Sequence, residues 1–111
     1  MPPGSLAEFE LLVILAALHL GPDVAYTVSI ADEIERRTGR AVRRANVFTT
    51  LQRLEAKMLV STRLGDARPE RGGKPRRLVT VNPSGLAAAR AATGAIQAMA
   101  GGLRDLLGGA R

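Results

Sequence analysis

The hydrophobic period of this chain changes abruptly at residue 60, and that change limits the folds open to it. Val47, Leu51, Leu54 and Met58 recur at helical spacing and predict a helix over 44–59 with one buried stripe. From Val60 the period is two, with Val60, Thr62 and Leu64 alternating with Ser61 and Arg63. A second β-branched run, Leu78-Val79-Thr80-Val81, follows residues 65–77. The two runs predict an antiparallel hairpin directly after a helix. Its connection is longer than a tight turn, and long ordered connections are usually functional.

The rest of the chain reads as helices. Residues 5–20 predict one, with Ser5 as N-cap and Glu8 completing a capping box. Leu6, Phe9, Val13, Ala16 and Leu20 form one apolar stripe, and Leu11, Leu12, Ile14, Leu15 and Leu18 carry apolar surface nearly all the way round. Such a helix is buried on two sides, and in a chain this small the second side is expected to be a partner subunit. Gly21-Pro22-Asp23 ends it, because Pro cannot continue a helix. Residues 28–38 predict a second helix, with Ile30, Ala31 and Ile34 inward and Asp32, Glu33, Glu35, Arg36 and Arg37 outward. Gly39 caps it, and its last-turn arginines suit the helix dipole. Residues 40–43, RAVR, predict a short extended piece.

Asn82 as N-cap and Pro83 at the first helical position open the last helix. Ile96, Met99, Leu103 and Leu106 or Leu107 give it an apolar stripe. Gly94, Gly101 and Gly102 each weaken a helix interior by about 1 kcal/mol relative to Ala. The helix is therefore expected to hold to Met99 and to fray after Leu107. The predicted order is helix, helix, short strand, helix, strand, loop, strand, helix. That is the order of a winged helix-turn-helix domain, mainly α with a small β-hairpin. The expected division is 1–82 for nucleic-acid binding, its first helix also in dimer contact, and 83–111 as a C-terminal dimerisation helix.

Charge adds a functional direction. The net charge is +6, but Arg36 to Arg77 holds thirteen Lys and Arg against three acids, while the remainder has three Arg against seven acids. Charge sorted this way suits a polyanion, although a solubilising surface has the same signature. The basic residues are not interleaved with Trp or Phe on an amphipathic helix, which argues against an anionic membrane. The run LLVILAALHLG is too short to span a bilayer, and no basic segment precedes it as in a signal peptide, so a cytoplasmic location is expected. The absence of Cys excludes disulfides and thiolate metal sites.

Arg43, Arg44, Asn46, Thr49, Thr50 and Arg53 are the expected reading face of the third helix, with Lys57 on the same acid-free stripe. Arg grips guanine edges or phosphate, Asn grips adenine, and Thr meets a thymine methyl group or a phosphate. The alternative is an ordinary solvated helix face. On the wing, Arg71, Lys74, Arg76 and Arg77 supply cations, and Gly72 and Gly73 let the chain turn and approach closely. Some of these cations must point away from a duplex. Arg36, Arg37 and Arg40 are placed to reach flanking phosphates or only to face water. Leu6, Phe9, Leu12, Ile96, Met99 and Leu103 are the expected dimer surface.

Tyr26 reads as a packing residue at a helix start, and His19, the only histidine, as structural. Catalysis has almost no support: there is no Cys, no second His and no H-E-x-x-H. The GGKP stretch lacks the first Gly of a phosphate loop, the Ser or Thr after Lys, and a following helix. No cofactor and no metal are expected.

The segments GPDVAYTVSIADEIERRTG, VFTTLQRLEAKMLV and RPERGGKPRRLVTVNPSG resemble the short form of the PadR-like transcriptional regulators, from about Leu12 to Arg90. Tyr26, the Phe48-x-x-Leu51-x-Arg53-Leu54-Glu55 core and Gly72-Gly73 carry the likeness. The resemblance implies a dimeric winged helix that binds double-stranded DNA at an operator, expected to be an inverted repeat. Repression is the usual role of the family. A small-molecule effector near the dimer interface is also implied, of a kind no residue here identifies. The sequence departs from the family at Met58, where Gly is common, at Arg43, Arg44 and Ala45, at Thr27, at Phe48 and at Leu78-Val79. A winged helix used as a protein–protein adaptor is the competing expectation, since fold does not fix function. An RNA-binding winged helix is a third, disfavoured by the scarcity of aromatics.

Overall fold

A computed structural model describes residues 6–65 and 75–108. Helix α1 spans Glu8–Leu20, α2 Thr27–Thr38 and α3 Arg44–Ala56. Strands β1, Val60–Leu64, and β2, Arg77–Val81, follow, then helices α4, Pro83–Ala100, and α5, Arg104–Leu107. Among the described residues no helix is long and apolar enough to cross a membrane.

The start of α1 differs from the expectation at Ser5, a residue outside those described. The N-cap position is Ala7, whose N–H donates to the Glu10 carboxylate at 2.9 Å. Alanine has no acceptor to return, so only half of a capping box forms. The buried side of α1 holds Glu10, Leu11, Val13, Ile14, Ala16 and Ala17. Leu6, Phe9 and Leu12 are half-buried against the edge of the core.

In α2 the inward residues are Ile30, Ala31 and Ile34, as expected, and Glu33 joins them. Glu33 follows Ile30 by three positions, which places it on the same side of the helix. Gly39 is in the left-handed conformation and donates its N–H to the Glu35 carbonyl at 2.8 Å. Residues 40–43 form no strand. The hairpin's outer neighbour is instead Ala25, whose carbonyl accepts from Val79 N–H at 2.8 Å. A single backbone bond at the end of the α1–α2 turn replaces the predicted short strand.

Helix α3 stops at Ala56 rather than 59. Met58 sits at φ 63°, Leu59 N–H donates to Leu54 carbonyl at 3.0 Å, and Met58 N–H donates to Glu55 carbonyl at 2.9 Å. This pair of bonds is a Schellman ending, which suits a left-handed residue. Met58 therefore points out of the core, 74% exposed, and Leu59 takes the buried place in its stead.

β1 and β2 pair antiparallel in the register Val60↔Val81, Thr62↔Val79 and Leu64↔Arg77. The ladder reaches one residue further, with Gly65 N–H donating to the Arg76 carbonyl at 2.7 Å. Ile14, Ile30, Val47, Leu54 and Val79 are fully buried, so three helices and the hairpin share one aliphatic core.

Asn82 holds the N-cap position of α4, but its side chain does not cap the helix. Its Oδ1 accepts from Ser61 Oγ at 2.7 Å and its Nδ2 donates to Met58 carbonyl at 3.1 Å. Gly85 lets α4 lie on the strand: a Cβ there would stand 2.1 Å from the Leu59 carbonyl oxygen. Helix α4 breaks at Gly101-Gly102, with Gly102 at φ 83°, where the glycines predicted weakness.

Candidate nucleic-acid interface

Helix α3 turns about 100° per residue. Val47, Thr50, Leu51 and Leu54 face the core. The centre of the opposite side is then Ala45, Thr49, Gln52 and Ala56, all exposed. Asn46 and Arg53 flank this line on one side, and Arg44 and Phe48 on the other. Five of the six predicted residues, Arg43, Arg44, Asn46, Thr49 and Arg53, are exposed, with Arg43 at the N-cap.

Thr50 is a correction: it is 4% exposed. It lies three residues after Val47 and four before Leu54, so helical geometry turns it inward. Lys57 is exposed at the end of the same stripe, but its Nζ is engaged within the chain, donating to the buried Glu10 carboxylate at 2.9 Å. Gln52 and Phe48 were missed as face residues. Their spacing from Thr49 and Arg44 carried the signal, but neither has the charge or short polar group that drew attention to the others.

The flanking cations are engaged within the chain. Arg36 lies 2.7 Å from the Glu33 carboxylate, and Arg37 pairs with the same oxygen. Hydrogen bonds from Arg36 and then Arg37 hold the Glu33 carboxyl below the usual range, against the opposing effect of burial. Arg40 reaches Glu8 at 3.2 Å, and Arg63 reaches Asp23 at 2.9 Å. Arg43, Arg44 and Arg53 make no ion pair among the described residues. Among the described residues of α1 to α3, the unpaired positive charge thus lies at the front and outer face of α3; Arg90 on α4 and Arg104 on α5 are also without an ion pair.

Of the wing residues, Arg71, Gly72, Gly73 and Lys74 lie outside the described residues. Arg76 and Arg77 are described, and they part company. Arg77 Nη1 donates to Thr62 Oγ1 at 3.1 Å, and Thr62 Oγ1 donates to Glu55 Oε2 at 2.9 Å, so this cation lies on the α3 side of the sheet. Arg76 instead stacks its guanidinium over the Tyr26 ring, 4.4 Å from the centroid. Tyr26 is the N-cap residue of α2, and Ser29 Oγ accepts from its N–H at 3.0 Å.

Towards the C-terminus, Ile96 and Met99 are 55% and 79% exposed, and Leu103, Leu106 and Leu107 are exposed as well. Only Gly85 and Ala89 of α4 are buried. An open groove of about 330 Å³ runs between α1 and α4, lined by Leu15, Leu18, Leu86, Ala89, Arg90 and Thr93 among others.

No protein-family model matches the sequence, and no curated protein matches it. Solved structures do match the fold. A PadR family transcriptional regulator from Eggerthella lenta aligns over 90% of this chain and 86% of its own, with TM-score 0.67 and 22% identity. The chain shares the winged-helix fold of that regulator. TA0346 from Thermoplasma acidophilum, a proposed transcriptional regulator, aligns over 88% of this chain and 91% of its own, with TM-score 0.69 and 14% identity. Bordetella bronchiseptica BpsR, whose DNA binding is regulated by 6-hydroxynicotinic acid, aligns over 93% of this chain and 71% of its own, with TM-score 0.63 and 22% identity. In the PadR-like fold, α2 and α3 are the helix-turn-helix and the β1–β2 hairpin is the wing.

Proposed function

We propose that the protein is a sequence-specific transcriptional regulator that binds double-stranded DNA as a homodimer and acts as a repressor in the cytoplasm. One observation carries this: α3 presents a continuous exposed face with unpaired Arg44 and Arg53 around Thr49, Asn46 and Gln52, while the two arginines on α2 are both engaged by Glu33. Residues that can grip base edges and phosphates therefore share one helix face of a size that enters a major groove. The likeness of the fold to a transcriptional regulator and to a protein whose DNA binding is regulated supports the same reading.

The dimer is supported by the open apolar side of α4 and by the groove beside α1. Exposed apolar residues in a row mark an interaction surface. In this proposal residues 83–111 supply the main dimer contact and Leu6, Phe9 and Leu12 its margin, and a two-fold dimer then reads an inverted repeat. The test is a mobility-shift titration with genomic fragments at several salt concentrations. Binding that weakens steeply with salt is expected, because each phosphate contact releases counterions. No detectable duplex binding at low salt overturns the proposal, and capture of an acidic protein partner in its place favours the adaptor role.

A further inference from the structure

We propose that Tyr26 and Arg76 form a positioning pair that sets the angle of the wing against the helix-turn-helix, and that Arg76 therefore does not contact DNA. The role rests on the DNA-binding function proposed above; the pairing itself rests on geometry alone.

Several ties from the hairpin land on the same short segment between α1 and α2. Val79 N–H donates to the Ala25 carbonyl at 2.8 Å. Arg63 donates to Asp23 Oδ1 at 2.9 Å and to the Pro22 carbonyl at 3.4 Å. Arg76 covers the face of Tyr26. Residues 22–26 are thus the seat of the wing as well as the turn into α2.

Both members of the pair have little freedom in their backbones. Tyr26 N–H is held by Ser29, and the Tyr26 carbonyl accepts the first bond of α2, from Ile30 N–H at 2.9 Å. The backbone that carries the ring therefore moves only if the start of α2 moves. The Arg76 carbonyl accepts the outermost ladder bond among the described residues, from Gly65 N–H. Successive residues along a strand point to opposite faces. Arg77 consequently faces α3 through Thr62 and Glu55, and Arg76 faces α2 through Tyr26.

The Arg76 guanidinium is committed to this place. Its Nε is buried and has no hydrogen-bond partner among the described residues. A buried donor left unpaired is unfavourable, and attraction to the electron-rich ring face is what offsets it. Reaching a phosphate means giving up that ring. Of the wing's three described cations, Arg63 and Arg76 are thus tied to residues 22–26, and the third, Arg77, stands on the side of α3.

The test uses the full chain as wild type, Tyr26→Leu, Arg76→Met, the double variant and Tyr26→Phe. Leu keeps bulk but removes the ring, and Phe keeps the ring. Two readouts are taken: melting temperature, and affinity for a fragment bound by wild type across a series of salt concentrations. The expected result is a double variant that melts no lower than the worse single variant. Tyr26→Leu and Arg76→Met should each weaken DNA binding by roughly three- to tenfold, the size of one cation–π contact. The slope of log affinity against log salt should stay at the wild-type value, and Tyr26→Phe should bind as wild type does. Arg76→Met keeps the test open should Tyr26→Leu not fold. A slope lower by about one per protomer in Arg76→Met means a lost phosphate contact and overturns the proposal. Additive falls in melting temperature overturn it too, whether or not DNA is bound. Wild type that binds no duplex, with the melting of the two variants still coupled, rejects the DNA-binding function and with it the positioning role, while leaving the pairing in place.

Discussion

Lys57 Nζ lies 2.9 Å from Glu10 Oε2 and 3.1 Å from Oε1, which ties the end of α3 to the first turn of α1. Burial opposes ionisation of Glu10 and is the largest single influence on it. The Ala7 N–H, Lys57 and Arg53 together outweigh burial and hold the carboxyl below its ordinary value of 4.5. A carboxyl whose folded pKa is depressed adds stability that is fully present above the unfolded pKa and is lost as pH falls through the folded one. Glu33 acts with the same sign through Arg36 and Arg37. Acid unfolding followed by circular dichroism should therefore show wild type losing stability as pH drops below about 4.5, the ordinary value, and Glu10→Gln losing less over the same window. A Glu10→Gln curve parallel to wild type would falsify this. At neutral pH, Lys57→Met should cost more than Glu10→Met, roughly 1–3 kcal/mol, because it leaves a buried carboxylate without its cation.

Met58 holds a left-handed backbone at φ 63° with its side chain in solvent. The left-handed region costs a non-glycine residue roughly 1–2 kcal/mol. Glycine returns part of that through its larger unfolded-state entropy, roughly 0.5–1 kcal/mol. Met58→Gly should therefore stabilise the chain by up to about 1 kcal/mol and raise the melting temperature by a few degrees. The Met58 carbonyl keeps its bonds from Asn82 and Ser84, at 3.1 and 2.7 Å, since neither needs the side chain. An unchanged or lower melting temperature shows that the strain is absent.

Gly85 calls for the opposite change. Ala normally gains about 1 kcal/mol over Gly inside a helix. Here the added methyl would stand 2.1 Å from a backbone oxygen that already accepts the Asn82 N–H at 3.0 Å. Relief requires α4 to move off β1, and overpacking of this kind costs typically about 1–3 kcal/mol. Gly85→Ala should lower the denaturant midpoint without changing the slope, whereas Gly94→Ala, where nothing lies within 4 Å of the new methyl, should not lower it.

Much of this fold was legible because backbone period and chain breakers act locally. The switch from helical to alternating spacing at Val60 located the wing, and Pro83 and Gly101-Gly102 located the ends of α4. What stayed hidden depended on contacts distant in sequence. Glu10 and Lys57, or Arg76 and Tyr26, are far apart along the chain, and nothing local says that they meet. Glu33 and Thr50 look like surface residues by type, yet each shares its helix side with aliphatic neighbours three or four positions away. Residues 40–43 had strand-like composition, but β2 found its outer hydrogen bond at Ala25. On α3, residue chemistry points to the arginines and away from Gln52, whereas angular position relative to the core side puts Gln52 at the centre of the exposed face.

The division between paired and uncommitted arginines gives the sharpest test of the DNA interface. Arg53 is exposed on the outer side of α3 and makes no ion pair among the described residues. Arg37 is bound to Glu33. If α3 enters the groove, Arg53→Ala should weaken duplex binding and lower the salt slope by about one for each protomer where it meets phosphate. Where it meets a guanine edge instead, the slope should hold and preference at one base pair of the half-site should relax, at a cost of about 1–3 kcal/mol. Arg37→Ala should change the slope and base preference much less than Arg53→Ala, because Arg37 is held by Glu33, whereas Arg53 has no ion-pair partner among the described residues. Both variants are measured on one fragment over one salt series. Equal slope losses at Arg37 and Arg53 would mean that DNA draws Arg37 away from Glu33, placing α2 at the backbone beside α3.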